Sequence, residues 1–339
     1  MKNSLILSGL AAGLAAAAPA PAPQSQGIDF AVIAAANIPA PTGAPVAATV
    51  LSAVPTYSTA SAVASAVAAP VVSSESKVKR QDPNACSAQP VGAGPTTSPD
   101  TAQAFVNNQV YNTAGANAPT PQGYSLSFEN LEGSVSASTY MGYYTLDSYD
   151  TIKCSEYCDA ADGCLGFNVF FERDPSLDPA AACPNPASTV MIKCTLWGTA
   201  VSSAQATNEG QWRENFQVVI AGSNGYSSNT PPAAIAGYDG PSNRLGGAIQ
   251  APGQYYLGAY QAPSVYDPSI CAAKCDSWTG CEFFNAYVDS ENNNPLGTYC
   301  AFYTQSFDRS YATNTLQYDQ AGNEYTVSSS YTYSKQASA

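Results

Sequence analysis

The chain has 339 residues, with ten cysteines, no histidine and a formal net charge of −13. A charge of this sign repels nucleic acid and anionic membrane surfaces, so neither is expected as a partner. Without histidine, Ser-His-Asp and Cys-His catalysis and histidine-bearing zinc or iron sites are excluded, and no metal or cofactor is expected. Neutral sugars and basic or uncharged protein surfaces remain as partners.

The first eighty residues differ in composition from the rest of the chain. Lys2 and the apolar run at residues 5–17 predict a secretory signal peptide over residues 1–18. This run is too short to span a bilayer, and no membrane span is expected. Residues 19–80 are mainly Ala, Val, Pro and Ser. That composition cannot bury enough apolar surface to fold, so it predicts a disordered pro-segment.

The pro-segment ends in a dibasic pair, Lys79-Arg80, directly before Gln81. The pair predicts cleavage by a furin- or kexin-type secretory protease, and two ordinary surface charges are the alternative interpretation. Removal of residues 1–80, which carry four basic and two acidic groups, would change the net charge from −13 to −15. Ten cysteines behind a signal peptide indicate an oxidising compartment. The protein is therefore predicted to be secreted, and extracellular or associated with a cell wall.

Eight of the ten cysteines follow one spacing in two copies: Cys154-x3-Cys158-x5-Cys164 with Cys194, and Cys271-x3-Cys275-x5-Cys281 with Cys300. Other residues repeat in the same register: Phe167-Asn168 with Phe284-Asn285, Tyr140-Met-Gly-Tyr-Tyr144 with Tyr256-Leu-Gly-Ala-Tyr260, and Gln211-Trp212 with Gln317-Tyr318. Preserved spacing indicates two copies of one structural unit. The predicted order after the pro-segment is an N-terminal extension (81–123), module 1 (124–221), a linker rich in Ser, Asn, Gly and Pro (222–243) and module 2 (244–335).

Each module is predicted to be a helix packed on an antiparallel sheet, an α+β fold. Asp150 and Asp267 stand where a helix N-cap is expected, and Pro268 follows at the first helical position. The helix carries the first two cysteines of each frame on one face, because they are four residues apart. Runs rich in Phe, Val and Tyr then predict strands at residues 165–171, 193–197 and 216–220, and at 282–288, 299–303 and 325–333.

The favoured disulfide pairing joins the first cysteine to the fourth and the second to the third: Cys154–Cys194, Cys158–Cys164, Cys271–Cys300 and Cys275–Cys281. Four cysteines allow three pairings in each module, so the connectivity stays open at this point. Cys86 and Cys183 fall outside the frame, and Cys183 lies in a Pro-rich insertion at residues 174–188. A Cys86–Cys183 bridge would fasten the extension to module 1. Two free thiols or an intermolecular bridge are the alternatives.

An aromatic-Asn pair follows the third cysteine in both copies, as Cys164-Leu-Gly-Phe-Asn168 and Cys281-Glu-Phe-Phe-Asn285. With the Cys-x3-Cys helix, this pattern resembles the PAN/Apple superfamily, whose modules are non-catalytic binding units for protein or carbohydrate. The whole chain, with its dibasic leader and Phe171-Glu-Arg-Asp-Pro175, also resembles secreted filamentous-fungal two-module proteins called fruit-body-specific. The resemblance implies extracellular recognition. Heparin-binding members use basic patches, and only eight basic residues follow Arg80 here, so heparin is not expected as the ligand.

Aromatic residues supply the candidate ligand-binding surface. Flat aromatic faces stack on sugar rings, while neighbouring polar side chains bond the hydroxyl groups. Six aromatic residues that lie closer to predicted turns are the candidates for such contacts: Tyr143, Tyr144, Tyr256, Tyr260, Trp212 and Trp278. Core or strand positions are the alternative for all six. Asn168 and Asn285 are expected to satisfy backbone groups at a bulge rather than to bind a ligand.

Several carboxylates fall in predicted loops: Glu172, Asp174, Asp178, Asp289 and Glu291. A glycosidase needs two carboxylates fixed about 5–10 Å apart across a cleft, and loops rich in Pro and Asn support that geometry poorly. The protein is therefore predicted not to be an enzyme. The leading hypothesis is a secreted binding protein for carbohydrate or protein at the fungal cell wall or surface. The alternative is a structural wall or matrix glycoprotein without a soluble ligand.

Overall fold

Two antiparallel sheets, each with a helix on one face, organise the chain in a computed structural model that describes residues 27–46, 55, 57–67, 85–263 and 265–337. The signal peptide and the Lys79-Arg80 pair lie outside the described residues. The helices are α1 Phe30–Ala35, α2 Thr59–Val67, α3 Ala102–Val106, α4 Gln109–Ala116, α5 Thr151–Asp159 and α6 Pro268–Ser277. None of these helices is long and apolar enough to cross a membrane.

The strands fall into two groups that correspond to the two copies of the cysteine frame. Those of module 1 are β1 Tyr124–Leu131, β2 Tyr140–Thr145, β3 Gly166–Pro175, β4 Ser188–Trp197, β5 Gln211–Arg213 and β6 Phe216–Ser228. Those of module 2 are β7 Tyr238–Asp239, β8 Tyr256–Ala262, β9 Phe283–Glu291, β10 Asn294–Pro295, β11 Thr298–Tyr303, β12 Leu316–Tyr318 and β13 Glu324–Lys335. The fold is thus α+β with mostly antiparallel sheets.

The two sheets have the same central topology. The first has the order β1-β6-β3-β4-β2, and the second has the order β12-β13-β9-β11-β8. Each contains a short hairpin next to its long closing strand, β5 with β6 and β12 with β13. The long strands β6 and β13 therefore lie beside β3 and β9, the strands that follow the third cysteine. The strands of the fourth cysteine, β4 and β11, lie on the other side of β3 and β9.

Helices α5 and α6 begin where the sequence predicts. The Asp150 side chain accepts a hydrogen bond from the Lys153 amide at 2.8 Å, and the Asp267 side chain accepts one from the Ser269 amide at 3.0 Å. Both aspartates therefore satisfy an amide that the first helical turn leaves free. The prediction of two equivalent N-caps is confirmed.

Five disulfides fix these elements, and their pairs are those that the repeated frame favours. They join Cys154 to Cys194, Cys158 to Cys164, Cys271 to Cys300, Cys275 to Cys281, and Cys86 to Cys183. In each module one disulfide joins the helix to the strand of the fourth cysteine, and the other joins the helix to the turn that follows it. No free cysteine remains among the described residues.

The repeated asparagines hold a bulge in the long strand of each module. Asn168 is fully buried, accepts a hydrogen bond from the Val135 amide at 2.9 Å and donates to the Asn224 carbonyl at 2.8 Å. Asn285 accepts from the Ile249 amide and donates to the Tyr331 carbonyl, both at 2.8 Å. The pairing of each long strand shifts register at this place. The structural interpretation of both asparagines is therefore confirmed.

The N-terminal extension packs on the helix side of module 1. Phe105 of α3 and Tyr111 of α4 are buried in the core that contains Phe171, and the Tyr111 and Phe171 rings are 4.7 Å apart. The Cys86–Cys183 disulfide joins the start of the described extension to the insertion between β3 and β4. The extension therefore completes the core of module 1 rather than extending away from it.

Three strands are longer than predicted, and the difference moves several acidic residues. Strand β3 continues to Pro175 and β9 to Glu291, so Glu172, Asp174 and Asp289 lie in sheets rather than in loops. Strand β6 continues to Ser228, seven residues into the segment predicted as a linker. The alternation of side chains along a strand then places these carboxylates on one defined face.

Parts of the predicted pro-segment are folded onto the modules. Residues 27–46 contain α1, with Ile28 and Ile33 buried in the core of module 2. Helix α2 packs on α6, where Ala66 contacts Ile270. Disorder is therefore the wrong description for residues 27–46 and 57–67. Composition was misleading because these residues complete an apolar surface that the modules provide.

Candidate functional site

One segment of the chain lies on equivalent faces of both modules. Residues 27–46, called here the leader segment, pack on the sheet face opposite α6 in module 2 and opposite α5 in module 1. We call these two surfaces the leader faces. Because strand residues alternate between faces, Phe170, Glu172 and Asp174 of β3 share the leader face of module 1.

In module 2 the leader segment buries two isoleucines and makes backbone hydrogen bonds. Ile28 and Ile33 are each 6% exposed and pack in a cluster with Tyr287 and Tyr299. The Asp29 amide donates to the Tyr299 hydroxyl at 2.8 Å, and the Ile28 amide donates to the Gln317 side-chain oxygen at 2.6 Å. The attachment therefore combines apolar burial with hydrogen bonds to main-chain amides.

In module 1 the same segment continues in an extended conformation. Thr42 and Ala137 exchange two backbone hydrogen bonds, at 3.0 and 3.1 Å. Ala44 is buried in a cluster with Phe170 and Ile220. The Pro45 carbonyl accepts a hydrogen bond from the Lys193 ammonium group at 2.7 Å. Strand-like pairing therefore holds the segment on module 1, whereas on module 2 the segment forms helix α1.

The two modules use the same position to contact the leader segment. Lys193 directly precedes Cys194, the fourth cysteine of its frame, and Tyr299 directly precedes Cys300. Each presents a polar group to a main-chain atom of the leader segment, Lys193 to a carbonyl and Tyr299 to an amide. The equivalence shows that the leader faces correspond in sequence as well as in space.

A buried charge cluster forms the base of the leader face in module 1. Lys193, Glu172 and Asp174 are at most 1% exposed, Lys193 pairs with Glu172, and its nitrogen lies 3.9 Å from Asp174 Oδ2. Burial, together with the charge of Asp174, raises the pKa of Glu172 well above its ordinary value. Burial disfavours the Lys193 ammonium ion, but the two carboxylates outweigh this and raise its pKa. The cluster therefore favours one charged ammonium group shared by two acids.

The leader face of module 2 holds an acid at the corresponding position without such a cation. Asp289 is four residues beyond Asn285, as Glu172 is four residues beyond Asn168. Asp289 is fully buried, and burial raises its pKa to about 7. The aromatic side chain of Tyr299 stands where module 1 has Lys193, and its ring stacks on Tyr287 at 4.8 Å.

An exposed aromatic ring lies on the short hairpin strand of each module. Trp212 on β5 is 67% exposed, and Tyr318 on β12 is 58% exposed. Each follows a glutamine, Gln211 or Gln317, and both glutamines adjoin the leader segment. Rings at this position can contact a ligand that lies on the leader face.

The six predicted aromatic candidates divide between the two sides of the sheets. Tyr143 and Tyr256 lie on the leader faces, where Tyr143 is 2% exposed, and Trp212 lies beside one of them. The other three lie on the helix side: Tyr144, Tyr260 and Trp278. The prediction that Tyr143 and Tyr144 lie near turns was wrong, because both lie within β2. As neighbours on a strand they point to opposite faces.

The helix-side aromatics make ordinary packing contacts. Tyr144 stacks on Tyr157 of α5 with ring centroids 3.9 Å apart. The Lys274 ammonium group of α6 lies 4.5 Å from the centre of the Tyr260 ring. Trp278 ends α6 and packs on Phe302 at 5.1 Å. These three side chains attach the helix to the sheet in each module.

Sequence reasoning missed the residues that contact the leader segment most directly. Lys193 and Tyr299 gave no separate signal, since both lie in predicted strands whose facing was not assigned, and Gln317 was noted only as part of the repeat. Tyr318 could have been found, because the repeat aligns it with Trp212. The leader segment itself carries only the apolar pattern of a low-complexity sequence.

A separate cleft of about 490 Å³ lies between the modules, lined by residues that include Leu165, Pro231, Arg244 and Tyr266. Among the described residues that line it, none carries a carboxylate. Across the described ranges, no group of three or more acidic or cysteine side chains has the arrangement of a metal site.

No family model, curated protein or solved structure matches the chain.

Proposed function

We propose that the protein is a secreted, non-catalytic binding protein whose two PAN/Apple-like modules each hold a polypeptide segment on the leader face. The observation that carries this proposal is the position of the leader segment, which contacts Lys193 of module 1 and Tyr299 of module 2 at equivalent sites. Five disulfides support an extracellular place of action. A cell wall or cell surface of a filamentous fungus is the setting that the sequence resemblance favours.

The nature of the contacts supports a polypeptide ligand. The modules bond main-chain atoms of the leader segment at Ile28, Asp29, Thr42 and Pro45. Every polypeptide offers such groups. Thr42 is held by strand-like pairing, a mode in which main-chain bonds give affinity and apolar pockets for alternate side chains give selectivity, whereas the other three residues are bonded by side chains of the modules. The pockets that hold Ile28, Ile33 and Ala44 can supply that selectivity.

In this proposal the leader segment is the first occupant of the binding faces and keeps other ligands out. Cleavage at Lys79-Arg80 would separate it from the modules and allow an exogenous segment to take its place. The extension at residues 85–123 lies beyond the cleavage site and stays attached through Cys86–Cys183. The modules therefore need no part of the leader segment for their disulfide framework.

Carbohydrate is the second candidate ligand, and the exposed rings of Trp212 and Tyr318 favour it. Their faces are available for stacking on sugar rings, and Gln211 and Gln317 beside them can bond hydroxyl groups. Both rings lie next to the leader faces rather than on them. A glycan ligand would therefore bind at the edge of the site and need not displace the leader segment.

The test measures binding of a labelled peptide with the sequence of residues 27–46. Full-length protein is cleaved with a kexin-type protease, the released leader is removed by gel filtration, and peptide binding is followed by fluorescence anisotropy. We expect saturable binding to the leader-free protein and none to a Lys79→Gln/Arg80→Gln chain, whose faces stay covered. A peptide with Ile28→Asp and Ile33→Asp is the matched control and should bind much more weakly.

One outcome would contradict the proposal. Absence of peptide binding to leader-free protein that retains its five disulfides and its circular dichroism spectrum would exclude the polypeptide ligand. If that protein is then retained on a neutral glycan array, and a Trp212→Ala/Tyr318→Ala variant is not, the ligand is carbohydrate.

A further inference from the structure

Module 2 contains a buried acidic site that lacks the cation present in module 1. Glu172 and Asp289 occupy equivalent positions, and in module 1 the Lys193 ammonium group neutralises the acid. In module 2 the residue at the lysine position is Tyr299, which is uncharged. Both copies thus retain the acid, whereas the lysine that pairs with it is present in module 1 only.

The acceptor atoms of Asp289 and Gln261 have no donor from another described residue. Neither carboxylate oxygen of Asp289 nor the side-chain oxygen of Gln261 is paired with another described residue, and all three atoms are buried. Only the main-chain amide of Asp289 itself acts on its carboxylate as a donor. Asp289 is fully buried and Gln261 is 4% exposed. Two further buried oxygens of module 2, Tyr256 Oη and Asn314 Oδ1, are also unpaired among the described residues, but neither can carry the charge of a carboxylate at neutral pH. Buried polar groups in folded proteins are nearly always paired, so the unpaired carboxylate of Asp289 needs an explanation.

The two residues that carry these acceptors are both hydrogen-bonded to Leu296. The Leu296 amide donates to the Asp289 main-chain carbonyl at 2.9 Å, and the Gln261 side-chain nitrogen donates to the Leu296 carbonyl at 3.0 Å. Leu296 is itself in the buried cluster that contains Ile28 and Ile33 of the leader segment. The site therefore adjoins the leader segment of module 2.

The chemistry of the site selects a donor that carries positive charge. All three unpaired atoms are acceptors, and the other charge that acts on Asp289 is the acid Glu291. An ammonium group offers three donors and a charge opposite to that of the carboxylate. Lys193 provides this group in module 1, where it bonds both the acid and the leader segment.

We propose that the Asp289–Gln261 site of module 2 binds a lysine side chain of a polypeptide ligand that replaces the leader segment. The inference rests on the proposed function, since it names the side chain that the polypeptide presents. The ligand supplies in trans the ammonium group that module 1 carries in its own sequence. The acidic chain, with a net charge of −13, also favours a basic ligand over an acidic one.

The first test places the cation inside the full-length chain, so it needs no ligand. Tyr299→Lys copies module 1, and Tyr299→Met is the uncharged control of similar length. We expect the lysine variant to have the higher urea midpoint, and we expect this advantage to vanish when Asp289→Asn is present in both. A lysine variant that is no more stable than the methionine variant, or that fails to fold when the methionine variant folds, overturns the proposal.

The second test uses the leader-free protein and peptides of residues 27–46 with one substitution each. Every position from 28 to 33 is replaced in turn by lysine and by norleucine, which has a similar length and no charge. At one position or more, lysine should bind at least about tenfold tighter than norleucine, and Asp289→Asn should remove the difference. Equal binding at all six positions overturns the proposal but leaves the polypeptide function intact.

The two tests also separate this inference from its alternatives. If no peptide binds at all, the proposed function fails, while the Tyr299→Lys comparison still decides whether the site accepts an ammonium group. If Ca²⁺ raises the urea midpoint of the wild-type chain and not that of Asp289→Asn, the site binds a metal ion and the lysine proposal is wrong.

Discussion

The two modules share a scaffold and differ on the leader face. Equivalent aspartates begin both helices, and equivalent asparagines hold both bulges. The leader face of module 1 has Lys193 beside its acids, whereas module 2 has Tyr299 beside Asp289. The difference shows that the two copies retain the residues that hold strands and helix together, while the position of Lys193 and Tyr299, which contacts the leader segment, has diverged. The predictions below test this division.

The largest effect is expected at the Lys193 cluster. Lys193→Met leaves Glu172 and Asp174 buried without their ammonium group, so the free energy of unfolding should fall by about 3–5 kcal/mol. Urea denaturation followed by tryptophan fluorescence measures it. Adding Glu172→Gln to the variant should recover part of the loss, because one buried acid is removed. A loss below about 1 kcal/mol would show that water reaches the cluster.

Asp289 should give module 2 a pH dependence. Its folded pKa of about 7 is above the ordinary value of 3.8, so the stabilisation from the neutral acid is complete below pH 4 and is lost as the pH rises through 7. Asp289→Asn removes this loss and should raise the free energy of unfolding by up to about 4 kcal/mol at pH 8, with little effect near pH 3. Thermal unfolding of both proteins from pH 3 to 8 checks the sign. A constant difference across this range would contradict the prediction.

The bulge asparagines should be equally important in both modules. Asn168→Ala and Asn285→Ala each leave a buried amide and a buried carbonyl without partners, which should cost about 2–3 kcal/mol. Urea denaturation of the two single variants gives the comparison. Costs that differ by more than about 1 kcal/mol would show that the scaffolds are less alike than their hydrogen bonds indicate.

The smallest effect on stability is expected at the exposed rings. Trp212→Ala and Tyr318→Ala should change the free energy of unfolding by less than about 0.5 kcal/mol, because both side chains are mostly in solvent. Each should nevertheless weaken the binding of a ligand that stacks on the ring by about tenfold. Ile152→Ala, which alters an exposed residue of α5 on the helix side, is the control and should leave binding unchanged.

Much of the scaffold could be predicted from local sequence. A repeated cysteine spacing, an N-cap aspartate and an aromatic-Asn pair each specify a short-range geometry, so the helices, the central strands and the roles of Asn168 and Asn285 follow from them. The facing of Tyr143 could not be predicted because β2 was not identified as a strand. A shift of one residue along a strand exchanges the two faces.

The leader segment shows a second limit of local sequence. Residues 27–46 have too few large apolar side chains to fold alone, and composition correctly indicates that much. Their order comes from the surfaces of Tyr287 and Phe170, which are more than 120 residues away in sequence. The Glu172–Lys193 pair was missed for a similar reason, since its two partners come from different strands.

The position of the cysteines determines what a cut before Gln81 would do. Cys86 is the first cysteine of the chain, so none of the five disulfides joins the leader segment to the modules. In the intact chain a short tether gives the segment a local concentration in roughly the millimolar range. After the cut, that value drops to the concentration of the secreted protein. A contact with a dissociation constant of about 1 μM would be saturated before the cut and lost on dilution into the medium. Dilution alone could then open both binding faces, without any change in the shape of either module.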